Sequence, residues 1–353
     1  PISLTTVTGP SSGTANLTFD TTGSITVSGA VGTNIGTLTI TNSGGTTFSS
    51  TVAASTVTLT NTTGAITFTG ALTATTLNTA AQSYNLALNA STGTITNAVT
   101  FSNTGTLALG ASGGTLTFNG GLTATAPSAS TLKGTITSSN DTITFGPITL
   151  GADTIINTVA TTNAADLTIG AVTGATYNLT LTTGGVAGAE IAGTSVSGVG
   201  ALTIGNSGGT SFSGTVGATT VTLTNTTGTI AFNGALTATT LNTAAQAYNL
   251  ALNASSGTIT DAVTFSNTGT LALGASGGTL TFNGGLTATA PSASTLKGTI
   301  SSSNDAITFG PITLGADTTI NTNATAINVA DLTIGAVTGA GFNLTLATGA
   351  YAG

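Results

Sequence analysis

The sequence predicts an all-β fold, a parallel β-helix (β-solenoid) wound from short three-strand rungs. Three observations carry this: a long internal repeat, a two-residue alternation of apolar and polar side chains, and a composition almost without charge. "VTLTNTTGAITFTGALTATT" (57–76) returns as "VTLTNTTGTIAFNGALTATT" (221–240), 164 positions later. Self-similarity at that scale marks an array of stacked units.

The repeat runs through nearly the whole chain. "NSGGT" recurs at Asn42 and Asn206, "LNTAAQ" at Leu77 and Leu241, and "APSASTLKGTI" at Ala126 and Ala290. One inserted residue then shifts "DLTIGAVTGA" from Asp166 to Asp331, and "LTTVTG" at Leu4 is a diverged copy of "LTIGAVTG" at Leu167. The sequence therefore predicts one continuous solenoid over 1–353, with repeats 4–166 and 167–331 and the start of a third at 332–353. Between 64–151 and 228–315 there are 8 differences in 88 positions, and none alters a Leu, Ile, Val, Phe or Tyr. Changes confined to small or polar positions are what two-faced strands permit.

Within the repeat the strands follow in order. "VTLTN" alternates Val57 and Leu59 with Thr58 and Thr60, and "AITFTG" sets Ile66 and Phe68 against Thr67 and Thr69. "YNLALN", "TLALG", "TLTFNG" and "TITFGPITLG" continue the period of two between Gly, Asn and Ser punctuation. Such runs read as short half-buried strands, and β-branched residues suit the pleated surface. The alternation places Ile66, Phe68, Phe101, Leu107, Leu109, Phe118 and Phe145 inside, with Ile230, Phe232, Phe265, Leu271, Leu273, Phe282 and Phe309; Thr67, Thr69 and Thr117 face outward. The nearest approach to a helix is "TAAQSYNLALNAS" from Thr79.

Strand blocks at Leu38, Val57, Tyr84, Leu107 and Ile136 recur at spacings that suit one rung each, the longer steps allowing for a corner loop. At roughly 20–27 residues per rung the chain makes about 13–17 rungs. Like side chains then stack in columns, and Gly and Asn supply corners of positive φ. The alternative is a string of β-sandwich domains, but no Trp or large aromatic cluster is present to fill a core between two sheets.

Composition excludes several functions. There are 2 basic and 9 acidic side chains and no His, Cys, Met or Trp. Two lysines cannot neutralise a phosphate backbone, so no nucleic-acid partner is expected. No apolar run approaches the roughly 18 residues of a membrane span. Without Cys there are no disulfides or thiolate metal sites. The chain opens at Pro1 without Met or leader, which reads as a processed or excerpted secreted protein.

"GTLTITNSGGTTFSSTV", "VTLTNTTGAITFTGAL" and "SGGTLTFNGGLTAT" share a Gly/Asn-punctuated rung. In it the chain resembles the β-strand-repeat exoproteins of bacteria, of the filamentous-haemagglutinin and autotransporter-passenger type. The resemblance implies a β-helix, secretion across the outer membrane, an extracellular or cell-surface location, and a role as adhesin or matrix fibre.

No catalytic, cofactor-binding or metal-ligating residue is predicted, and no cofactor. The acids are isolated: Asp20, Asp141, Asp153, Asp166 and Glu190, then Asp261, Asp305, Asp317 and Asp331. Carbohydrate-cleaving sites need paired carboxylates. The best cluster is Lys133, Asp141 and Asp153, echoed as Lys297, Asp305 and Asp317; a surface ion pair or a sparse cation site are its two readings. "GASGG" at Gly110 and Gly274 precedes no helix, so it is a turn and not a phosphate cradle. "NLT", "NTT" and "NAS" at Asn16, Asn61, Asn89 and Asn178 match the glycosylation tripeptide, as a Thr-rich chain does by chance.

The first expectation of function is a structural subunit of an extracellular filament or matrix fibre, with other copies of itself as head-to-tail partners. The second is the stalk of a secreted adhesin that binds carbohydrate or a cell surface. Threonine arrays such as "TLTI" and "VTLTN" add an ice-binding solenoid as a minor alternative. An enzyme is not expected.

Overall fold

Thr, Val and Ile at every second position, broken by Gly and Asn, leave the chain no favourable state except short pleated strands. The computed structural model describes residues 1–11, 13–324 and 330–349. Among these there is no helix, and "TAAQSYNLALNAS" becomes a turn followed by the strand Asn85–Leu88. Strand accounts for 59% of the chain, stacked as a β-solenoid with about 16 turns in all. The ladders are parallel, including Ile2–Leu4 on Ile25–Val27 and Thr115–Phe118 on Ala129–Ser138. Sandwich sheets are antiparallel, so tandem sandwiches are excluded. Two compact units divide the chain, Pro1–Tyr177 and Asn178–Gly353.

In the first unit one sheet stacks Ile25–Val27, Thr46–Phe48, Ala65–Phe68, Asn85–Leu88 and Thr106–Leu109. Its ladder continues onto Leu132 and then Leu150. Val27, Phe48, Phe68, Leu88, Leu109, Leu132 and Leu150 form one inward column, every member buried. A second sheet stacks Thr92–Ile95, Thr115–Phe118 and the end of Ala129–Ser138. A third stacks Val99–Thr100, Leu122–Ala124, Ile143–Phe145 and Leu167–Ile169. The second unit repeats these registers: Phe212 on Phe232 on Leu252 on Leu273 matches Phe48 on Phe68 on Leu88 on Leu109.

All of the side chains expected inside are buried, from Ile66 to Phe145 and from Ile230 to Phe309. Thr67, Thr69 and Thr117 point outward, exposed or half-exposed. Turns of the solenoid differ in length. Ser130 pairs with Ile148 across a short turn, and Ile148 with Val172 across a longer one. The wide step from Leu107 to Ile136 is not a single rung. It joins different sheets, because Leu107 pairs with Ser130 and Ile136 with Leu116.

Tight stacking explains the repeated glycines. At Gly110, in "GASGG", φ is 85° and an added Cβ would lie 2.1 Å from the Lys133 carbonyl oxygen. The segment is a turn. Asn140 and Asn304 take the left-handed corner conformation, with φ of 69° and 70°, which a short polar side chain tolerates.

Candidate functional site

The sheets carry few groups capable of chemistry, 2 basic and 9 acidic side chains in all. Lys133 projects from the strand Ala129–Ser138, and its stem lies across Gly151 of the next turn. A Cβ at Gly151 would fall 2.7 Å from Lys133 Cε; Lys297 lies the same way over Gly315, at 2.8 Å. Lys133 and Asp153 lie on facing stretches of adjacent turns, between the register pairs Leu132–Leu150 and Gly134–Thr154. The Asp141 carbonyl accepts the Ser138 hydroxyl in the corner turn. Asp317 accepts from the Asn343 backbone N–H at 2.9 Å and side-chain amide at 3.4 Å. No three His, Cys, Asp or Glu come together among the described residues.

Comparison with protein-family models, curated proteins and solved structures returned no match.

Polar groups inside the solenoid are more numerous than the sequence suggested. Ser43 bonds Thr62 at 2.8 Å and Thr46 at 3.0 Å, and Ser207 bonds Thr226 at 3.0 Å and Thr210 at 3.1 Å. These hydroxyl clusters fill inward positions and satisfy one another, as buried polar groups must. Asn103 is fully buried and donates to the carbonyls of Tyr84 and Thr106, both at 3.3 Å. Its Oδ1 accepts nothing, and the same holds at Asn267.

Tyr84 and Tyr248 are buried beside them. Burial pushes both phenols up to about 12, against the opposing effect of the Ala80 and Ala244 backbones and of Thr79 and Thr243. Tyr84 Oη reaches the Leu59 carbonyl at 3.4 Å, whereas Tyr248 Oη has no partner in hydrogen-bond geometry. The alternation held a signal for both residue types. Tyr84 is in phase with Leu86 and Leu88, and Asn103 with Phe101, so each sits on the inward parity.

A cavity of about 10 Å³ lies where Gly93 takes an inward position among Phe68, Leu72, Leu88, Leu116 and Phe118, and another lies at Gly257. Each is about one water in size and apolar. A larger open depression in the second unit is lined by Gly, Ala, Val and Thr alone. These groups can hold hydrogen-bonded columns in register; they offer no paired acid and base.

Proposed function

We propose that this chain is a structural segment of an extracellular or cell-surface filament of bacterial origin, which lengthens by adding turn upon turn. The observation that carries the reading lies in the second unit. Leu181 is fully buried because Ile204 of the next turn stacks on it. Leu346 occupies the same repeat phase on the strand Leu344–Gly349 and is 53% exposed. Each turn is thus a template whose apolar column and backbone groups are completed by one more turn. Unpaired strand edges recruit further strands, and another stretch of this repeat, in the same chain or another copy, has the matching columns.

The near-absence of charge supports the same reading, since like turns stack without repulsion. A head-to-tail contact of this kind need not close on itself, and so gives a fibre. The test is electron microscopy of the purified protein beside a variant with Lys at both Leu344 and Leu346. The wild type should form filaments and the variant should not. Filaments of the variant at the wild-type concentration would show that stacking through this strand is wrong.

A further inference from the structure

Two adjacent outward columns of hydroxyls run along one sheet of each unit. In the first unit Thr92 pairs with Thr115 and Thr115 with Thr135, while Thr94 pairs with Thr117 and Thr117 with Thr137. Thr73 extends the second column by a further turn. In the second unit Ser256, Thr279, Thr299 and Thr319 form one column, and Thr237, Thr258, Thr281 and Ser301 the other. No register shift interrupts these steps, and no charged residue stands within either array.

Threonine is abundant on this chain, so abundance proves nothing, and free outward hydroxyls also occur on other columns such as Thr47 and Thr67; two further observations bear on this face. The first is hydrogen bonding. Among the described residues the hydroxyls of Thr92, Thr94, Thr115, Thr117 and Thr135 have no partner, and Thr137 bonds the neighbouring Ser138 carbonyl. In the second unit Thr281 and Ser301 meet each other at 3.3 Å, and Ser301, which is buried, also donates to the Leu280 carbonyl at 3.5 Å, so the exposed part of that column ends at Thr281. On the other wide threonine face some of the hydroxyls are consumed, since Thr60 donates to the Ile40 and Thr41 carbonyls, Thr58 accepts from Asn78 and Thr76 accepts from Asn97, while Thr37, Thr39 and Thr56 there bond no described group.

The second observation is the comparison of the two repeats. Six of their differences over 64–151 replace a Ser or Thr. Thr67, Thr69, Ser83 and Thr142 lose the hydroxyl, becoming Ala231, Asn233, Ala247 and Ala306. Thr92 and Thr137, the two inside the array, become Ser256 and Ser301 and keep it. The other wide threonine face does not behave this way: Thr37 and Thr41 become Ala201 and Gly205.

We propose that these two-column faces bind ice. Outward residues two apart on a strand are about 6.6 Å apart, and stacked strands about 4.8 Å. That rectangular mesh is close to the oxygen spacing on the prism face of hexagonal ice. Threonine holds it rigidly, because its β-branch restricts χ1. Leu116 and Ile136 beneath are buried and fix the backbone. The methyl groups limit competing hydration, and the free hydroxyls complete an ice-like water layer. The ligand is crystalline water, and this reading does not depend on filament formation.

The experiment is nanolitre osmometry and ice-crystal shaping on the whole chain, with T117K/T281K in the arrays and T123K/T287K on single-column faces as control. Circular dichroism checks the fold of each. The wild type and the control should shape crystals and show thermal hysteresis, and T117K/T281K should lose both. T117V/T281V, which keeps the shape of threonine, should lose part of the hysteresis and covers the case of a misfolded lysine variant. A folded wild type without hysteresis overturns the proposal, as does full activity of either array variant. Adsorption to a crystalline polysaccharide without ice shaping also overturns it.

Discussion

Phe48 and Phe68 are register partners on successive turns and stack with ring centroids 4.8 Å apart, their planes 12° from parallel. Phe212 and Phe232 repeat the stack in the second unit at 5.6 Å and 10°. One register step thus superposes identical side chains, and ring on ring contributes beyond the area buried. Phe68→Ala should open a cavity between Phe48 and Leu88 and cost about 3–5 kcal/mol. In a stack of nearest-neighbour contacts the loss stays local. Hydrogen exchange should therefore accelerate in Thr46–Phe48, Ala65–Phe68 and Asn85–Leu88 and stay unchanged in the second unit. Uniform acceleration would contradict it.

Close packing between turns gives a contrast between two glycines. A Cβ on Gly70 would sit 2.1 Å from the Ser50 carbonyl carbon, and backbone cannot swing aside. Gly185 has nothing within 4 Å of that position. Gly70→Ala should destabilise by about 3 kcal/mol, at the upper end of overpacking effects. Gly185→Ala should be neutral or stabilising by up to about 1 kcal/mol, through the unfolded chain. Denaturant midpoints check both, and equal effects would remove the account of why glycine recurs at Gly70 and Gly234.

Strand and inward face were legible because the period of two specifies both, and parallel stacking because the repeat and the short rung spacing call for stacked turns. Ile66 and Phe68 are buried and Thr67 is not, as the alternation requires. Rung length was less legible. Leu107 and Ile136 look like successive rungs but belong to different sheets, because corners consume unequal numbers of residues. The surroundings of Lys133 were illegible for a related reason. Spacing places residues on neighbouring turns, but only the corner geometry shows that the Lys133 stem lies along Gly151. Asn103 was hidden by its residue type, since asparagine ordinarily marks a turn.

Asn103 yields a prediction of its own. Its amide supplies the donors for two buried carbonyls, those of Tyr84 and Thr106. Asn103→Ala leaves both without a partner and should cost about 1–3 kcal/mol. Asn103→Asp replaces donors with acceptors and buries a charge, so it should cost more at neutral pH. Acidification, which restores one O–H donor, should narrow the gap between the two variants in thermal unfolding. A gap that does not change with pH would mean that the carbonyls are not what Asn103 serves.

The buried phenols predict the alkaline limit of the fold. Tyr84 and Tyr248 ionise in the native chain only at about 12, because burial disfavours the phenolate, whereas an exposed tyrosine ionises at 10.0. Below pH 10 both states hold the proton and the contribution of burial is fully present. Between 10 and 12 the unfolded state sheds protons that the native state keeps, so stability falls as pH rises. The slope is at most about 1.4 kcal/mol per pH unit for each tyrosine. Equilibrium unfolding measured below pH 10 and then stepwise toward pH 12 should show this decline, and the share of tyrosinate absorbance that belongs to Tyr84 and Tyr248 should appear together with loss of β structure. Tyr84→Phe with Tyr248→Phe removes the titrating groups without removing the rings. That variant should match the wild type at neutral pH and exceed it above pH 10; an identical alkaline decline in both would show that other groups set the limit.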